Sequence, residues 1–117
     1  MTDYEDAVRR YYEYVDAEAY EDLYALFADD VTYERPGRDA IQGQDAFRAF
    51  YEDGRPLEDG EHTVHAVVVD GDTAAVRGTF SGVQGGDRVE FGFADFHEFD
   101  DDGKITNRYT YTDRDTV

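Results

Sequence analysis

The hydrophobic period changes once along this chain, and that change bounds the folds open to it. Tyr4, Val8, Tyr11 and Val15 recur at 4-3-4 spacing, one face of an amphipathic helix. A second short helix fits Tyr20 to Ala28, with Leu23, Leu26 and Phe27 inward, and Asp29-Asp30 ends it. Val31 to Glu34 reads as a short strand, Arg35-Pro36-Gly37-Arg38-Asp39 as a turn, and Gln44 to Glu52 as a third helix broken by Asp53-Gly54-Arg55-Pro56. Beyond that point the period is two. His62 to Val69 is β-branched and meets Asp70-Gly71-Asp72, a hairpin signal. Thr73 to Val83, Arg88 to Phe99 and Lys104 to Thr112 follow as strands. Helices first and an antiparallel meander afterwards predict an α+β fold with the helices on one face of a curved sheet.

Length and charge narrow the function classes. One domain, 1–117, accounts for the chain, and a core is feasible at this size without staples. Cysteine is absent, so disulfides, thiolate metal sites and a cysteine nucleophile are excluded. No run is long enough to span a membrane, and the acidic start Met1 to Asp6 lacks a signal-peptide stretch, so a cytoplasmic location is expected. The formal net charge is −18, which makes nucleic acid and anionic membranes poor partners. Of the 29 acidic residues 19 are aspartate, spread over the whole chain, and Lys104 stands alone beside ten arginines. This acidic, lysine-poor pattern resembles cytosolic proteins of salt-loving archaea, where concentrated salt screens the repulsion.

Four stretches, in this order and spacing, carry a family resemblance: Leu23 to Val31; Arg35-Pro36-Gly37 with Ile41-Gln42-Gly43; Asp95-Phe96-His97-Glu98-Phe99; and Gly103-Lys104-Ile105 with Tyr111-Thr112-Asp113. Over residues 4 to 113 the chain resembles the nuclear-transport-factor-2-like superfamily, in its SnoaL-like and ketosteroid-isomerase-like branch. The resemblance implies a cone-shaped, cystatin-like fold, with about three N-terminal helices closing over a strongly bent antiparallel sheet to leave a pocket. It implies a small-molecule ligand and no cofactor. It also implies a homodimer paired through the outer sheet face, for which Tyr109 and Phe96 are candidates. The fold hosts many chemistries and binding-only members, so it does not name a reaction.

Ketosteroid isomerase works with an aspartate base and an oxyanion hole made of a tyrosine and a protonated aspartic acid. By resemblance, the oxyanion tyrosine falls on Tyr11 and the oxyanion aspartic acid on Asp95. The base position, just before the proline after the first strand, is Arg35, which argues against a steroid-type proton shuttle by that route. The residues themselves single out Asp95. Val89, Phe91, Phe93, Asp95, His97 and Phe99 share one strand face, and a carboxylate there must be paired, hydrogen-bonded or protonated. Asp95, Tyr11 and His97 form the candidate catalytic set, and Arg35, Tyr33, Phe91, Phe93 and Arg108 the candidate substrate-binding set.

Blander readings stand beside these. Tyr11 also reads as a core tyrosine whose hydroxyl reaches Asp95, His97 as a satisfied buried histidine, and Arg35 as a turn residue pairing with Asp39 or Glu34. On the last strand, Arg108, Thr110 and Thr112 alternate against Ile105, Asn107, Tyr109 and Tyr111. The resemblance turns the Arg108 face inward, whereas hydrophobicity alone would choose the tyrosine face. His62 and His65, three apart on a strand, face opposite sides and suit no metal. Asp100-Asp101-Asp102-Gly103 reads as a solvated turn. Two classes remain open: a cofactor-free isomerase, cyclase, dehydratase or hydrolase using Asp95, and a non-catalytic ligand-binding or protein-interaction module.

Overall fold

The computed structural model describes residues 4–37, 39–54 and 57–113, so Arg38, Arg55, Pro56 and both chain ends lie outside it. The chain forms α1 (Tyr4–Asp16), α2 (Tyr20–Tyr24), β1 (Phe27–Glu34), β2 (Ile41–Gln42), α3 (Gln44–Ala49), a π-helical turn (Phe50–Gly54), β3 (Leu57–Asp70), β4 (Thr73–Gln84), β5 (Asp87–Phe99) and β6 (Ile105–Thr112). All six strands make one sheet in the order β2-β1-β6-β5-β4-β3. The helices cover one of its faces, so the α+β architecture read from the sequence is the one observed.

Local chemistry explains where the elements start and stop. Helix α1 buries Val8, Tyr11, Tyr12 and Val15, the i, i+3, i+4, i+7 stripe of a half-buried helix. Its exposed face carries Glu5–Arg9 and Asp6–Arg10 ion pairs one turn apart. Helix α2 is shorter than the sequence predicts. Phe27 and Ala28 leave it for β1, and the single lysine, Lys104, donates from Nζ to the Ala25 carbonyl at 2.6 Å, holding the junction. Helix α3 likewise ends at Ala49 and loosens into the π-helical turn, which still buries Phe50 and Tyr51.

The sheet departs from the expected all-antiparallel meander in one pairing. β1 runs parallel to β6, with Tyr33 opposite Arg108 and Glu34 opposite Tyr109. The hairpins β3–β4, β4–β5 and β5–β6 are antiparallel as the turn signals indicate. Gly71 supplies the left-handed backbone, φ +60°, that the Asp70–Asp72 turn needs.

Bulges set which residues face the helices. In β6 the partner of Glu98 is Asn107 but that of Phe99 is Ile105, so Thr106 is an extra residue. It reverses the alternation, and Ile105, Arg108 and Thr110 are all buried while Tyr111 is exposed. This resolves the choice that hydrophobicity left open: the arginine face is inward. A second bulge, between Val64 and Ala66, falls at His65, which lies exposed and bonds Thr79. Outside, Phe96 and Tyr111 are exposed and meet edge to face, 5.9 Å between ring centres.

The core is aromatic. Val8, Leu23, Val31, Tyr33, Phe47 and Ile105 are completely enclosed, and Tyr4 stacks on Phe99 at 4.1 Å. Phe80 and Phe91 form a smaller cluster apart from it. Gly78 makes the strand packing between them possible. A Cβ there would lie 2.4 Å from the Thr63 carbonyl oxygen and 2.6 Å from a Phe93 ring carbon. Gly78→Ala should therefore destabilise the fold by about 1–3 kcal/mol through overpacking. Urea denaturation of the variant beside wild type measures this, and an unchanged midpoint would contradict it.

Candidate active site

Asp95 sits on the helix-facing side of β5, 2 % exposed, between Phe93 and His97. An ionised carboxylate so enclosed is costly unless every acceptor site is used. Three donors converge on it. Arg108 on β6 donates from Nη2 to Oδ2 at 2.8 Å, Tyr12 on α1 donates to the same oxygen at 2.5 Å, and Thr110 donates to Oδ1 at 2.7 Å. The register that puts Asp95 opposite Thr110 places this hydroxyl, and Arg108 lies one pleat away opposite His97. Burial alone pushes the Asp95 carboxyl up, but the Arg108 guanidinium and these hydrogen bonds outweigh it and hold it below the usual carboxylate range. The same partner holds Arg108 well above its ordinary value against the effect of burial.

Arg108 is packed as tightly as it is paired. Its guanidinium lies 4.2 Å from the Tyr11 ring centre and 4.5 Å from that of Tyr33, a cation held between two aromatic faces. Nη1 reaches Thr110 at 3.1 Å, and Nε is buried without a hydrogen-bond partner among the described residues. Arg35 approaches from the end of β1, 8 % exposed, donating to the Tyr33 hydroxyl and lying 4.7 Å from the Phe50 ring centre. It is thus an inward residue and not a surface turn residue.

These groups enclose a cavity lined by Tyr11, Tyr33, Arg35, Asp95, Arg108 and Thr110, together with His62, Phe80, Phe91, Phe93 and Thr112. About 320 Å³ lies between its atoms, but only about 20 Å³ can take the centre of a water molecule. That is about the room one water needs. Arg35, Thr110 and Thr112 also border a wider groove beside Pro36, Tyr109 and Tyr111, with about 310 Å³ on the same measure.

Of the expected catalytic set, Tyr11 lines the cavity with a different hydroxyl partner, and His97 lies behind the wall. The Tyr11 hydroxyl meets that of Tyr51, not Asp95, and it is Tyr12 that reaches the carboxylate. Tyr11 lines the cavity with its ring, while Tyr12 closes the site from behind. The sequence signal for Tyr12 was present, because it completes the Val8–Tyr11–Tyr12–Val15 stripe. His97 is completely buried and does not line the cavity. Its Nε2 is 3.3 Å from the Tyr12 hydroxyl, and its Nδ1 has no hydrogen-bond partner among the described residues. Burial, then the Arg108 charge, press its pKa down to about 3, so it is neutral where the protein is folded. His62, read only as a poor metal ligand, lines the cavity and ties β3 to the end of α1. Its Nδ1 lies 2.6 Å from Asp16 Oδ1 and its backbone N–H donates to Oδ2 at 2.8 Å. Among the described residues no group of three potential metal ligands occurs.

The pair and the histidine make a combined prediction. His97 has a depressed folded pKa, so the unfolded chain takes up the proton first, and stability falls as pH drops below about 6.5 toward about 3. Asp95, also depressed, contributes stability above the ordinary carboxylate range that is lost only at lower pH. Between pH 6.5 and 5 wild type should lose roughly 2 kcal/mol more than His97→Gln, at about 1.36 kcal/mol per pH unit. Denaturation across that interval measures it, and parallel curves would refute it. Arg108→Met, which strands the carboxylate, should cost about 3–5 kcal/mol, with partial recovery in the double variant with Asp95→Asn.

Comparison with known proteins agrees with this architecture. No curated protein sequence matches the chain. A structure of an NTF2-like protein of unknown function from Exiguobacterium sp. 255-15 is 27% identical, with a TM-score of 0.80 over 92% of this chain and 98% of that one. An LEH-like epoxide hydrolase of M. tuberculosis is 26% identical, with a TM-score of 0.80 over 92% of this chain and 80% of that one. The epoxide hydrolase/cyclase-like enzyme SalBIII, of pyran ring formation in salinomycin, shares the fold at 19% identity, with a TM-score of 0.83 over 93% and 89%. The SnoaL-like domain model matches residues 8–108, which include β1 to β5, the first half of β6 and both members of the Asp95–Arg108 pair, and the chain therefore belongs to the SnoaL-like domain family.

Proposed function

We propose that this chain is a cofactor-independent acid–base enzyme that moves a proton on a small carbonyl compound, in an isomerisation, cyclisation or dehydration. One observation carries the reading: a buried carboxylate, kept charged, forms part of a cavity wall and retains an acceptor site. A carboxylate offers about four lone-pair sites. Oδ2 uses two, on Tyr12 and Arg108, and Oδ1 uses one, on Thr110. The fourth is on Oδ1, available to a substrate C–H or to a water.

The acidity of Asp95 shapes the chemistry. A carboxylate held below its usual range is a weak base at neutral pH, so it removes a proton only from a carbon already acidified by polarisation of its carbonyl. Arg35, Tyr33 and Tyr11 face the same cavity and supply that polarisation. The role that the resemblance gives Asp95 in a steroid isomerase, a neutral acid donating to an oxyanion, does not suit a side chain bonded to Arg108. The water-sized interior favours a small reactive group there, with any larger part of the ligand in the groove beside Pro36 and Tyr109. The LEH-like and cyclase-like relatives support small-molecule chemistry on this fold.

A thermal-shift screen in molar KCl, using small ketones and oxo acids on wild type and Asp95→Asn, identifies binders. A ligand at 100 times its Kd adds about 2.7 kcal/mol to stability. Each ketone that binds should exchange its α-protons for deuterium in D2O with wild type and about 10²–10⁴ times more slowly with Asp95→Asn. Binding retained by Asp95→Asn with no exchange by either protein would make this a ligand-binding module instead. We also propose that a second copy covers the outer face at Phe96 and Tyr111. Light scattering in molar KCl should give the dimer mass, and a monomer removes the idea.

A further inference from the structure

Tyr33 is a phenol to which the Asp95 mechanism gives no more than a share in polarising the carbonyl, yet its surroundings single it out. It is completely buried on β1 and borders the cavity. Its hydroxyl accepts a hydrogen bond from Arg35 and lies 3.1 Å from Thr110 Oγ1. Thr110 has one proton, and the carboxylate of Asp95, 2.7 Å away, can only accept it. At the other contact Thr110 must therefore accept, and Tyr33 must donate. The hydrogen bonds run in one direction: Arg35 to Tyr33, Tyr33 to Thr110, Thr110 to Asp95.

Two guanidinium groups face this phenol, Arg35 from the end of its own strand and Arg108 from β6, at 5.2 Å and 4.5 Å from its ring centre. One negative group, Asp95 on β5, acts against them. The uncharged neighbours of Tyr33 among the described residues include Thr110 from β6, Phe47 from α3, and Phe50 and Tyr51 from the π-helical turn. Two other enclosed phenols are set differently. Tyr12 donates to Asp95, and burial together with that carboxylate pushes it well up. Tyr51 is pushed up by burial and by Tyr11. For Tyr33 burial and the Asp95 charge act upward, but Arg108 and Arg35, with the Thr110 contact, outweigh them, and the net direction is down.

We propose that Tyr33 is the proton donor of the site and that Thr110 returns the proton to it from Asp95. The inference rests on the reading of Asp95 as the base. In the first step the Tyr33 hydroxyl turns from Thr110 to the substrate in the cavity; Asp95 Oδ1 takes a proton from the substrate carbon, and Tyr33 gives its hydroxyl proton to a second substrate atom. The phenolate left behind is held between Arg35 and Arg108. Once product leaves, the carboxyl proton turns to Thr110, whose own proton passes to the Tyr33 oxygen. One proton has moved within the substrate, none has been gained or lost, and the site is restored without water or cofactor. The substrate class is a carbonyl compound with an acidic C–H and a conjugated or enolisable acceptor.

Absorbance of the tyrosinate band, followed as pH is raised, tests this without any substrate. Of the ten tyrosines in wild type, one should ionise in a separate step below the rest. Tyr33→Phe should lose that step. Arg35→Met should move it up by roughly 1–3 pH units, and Asp95→Asn should move it down. The absence of an early step in wild type, or its survival in Tyr33→Phe, overturns the proposal. Should Tyr33→Phe fail to fold, the opposite displacements in the other two variants decide, and displacements of the same sign overturn it. Rapid ketone exchange by Asp95→Asn would overturn the base reading, and with it the return step, independently of the titration.

Discussion

The Asp95–Arg108 pair constrains everything packed around it. Both groups are almost wholly removed from water, and two isolated charges in that position would cost several kcal/mol each. The pair is tolerable because three elements supply the rest of its solvation. Helix α1 brings the Tyr12 hydroxyl and the Tyr11 ring, β1 brings the Tyr33 ring, and β6 brings Thr110. A helix shifted by one turn, or a strand slipped by one residue, would strand a charge. Such an arrangement is weak evidence for high stability, since a well-packed apolar pair would serve as well or better. Its retention next to a cavity is what suits a chemical role.

The electrostatic sense of the cavity opposes that of the chain. The whole carries a net charge of −18, whereas the cavity lining holds two arginines and one aspartate. The low-dielectric walls strengthen these local charges relative to the screened surface. An oxygen bearing developing negative charge is therefore stabilised inside a molecule whose exterior repels anions. Tyr33 belongs to this local field, and so does His97, which the same arginine and the surrounding core keep neutral.

Periodicity made much of the fold legible. The α1 stripe, the Asp70–Asp72 hairpin and the clean alternation of β5 are all local patterns, each determined by a residue's nearest neighbours in sequence. Asp95 was legible for the same reason, as a carboxylate on an apolar face. The ends of α2 and α3 were not, because their last residues have acceptable helical propensity and are drawn away by packing. Phe27 joins β1, and Phe50 and Tyr51 enter the core through a π-helical turn. The parallel β1–β6 pairing was also invisible, since it joins segments some 75 residues apart with nothing between them to signal orientation.

The sequence by itself determined the class of fold, the acidic exterior and the presence of a buried carboxylate needing partners. Tertiary structure decided which partners it has. The extra residue Thr106 reverses the alternation in β6 and turns Arg108 inward against the apparent preference of Tyr109 and Tyr111. The roll of α1 gives Asp95 to Tyr12 and leaves Tyr11 facing the cavity and Tyr51. Both outcomes follow from the same physics. A strand's inward face depends on its parity, and a helix's contact residue on a rotation of about 100° per residue. A single inserted residue or a small roll therefore reassigns every side chain beyond it, and only the energy of the assembled core selects among the alternatives.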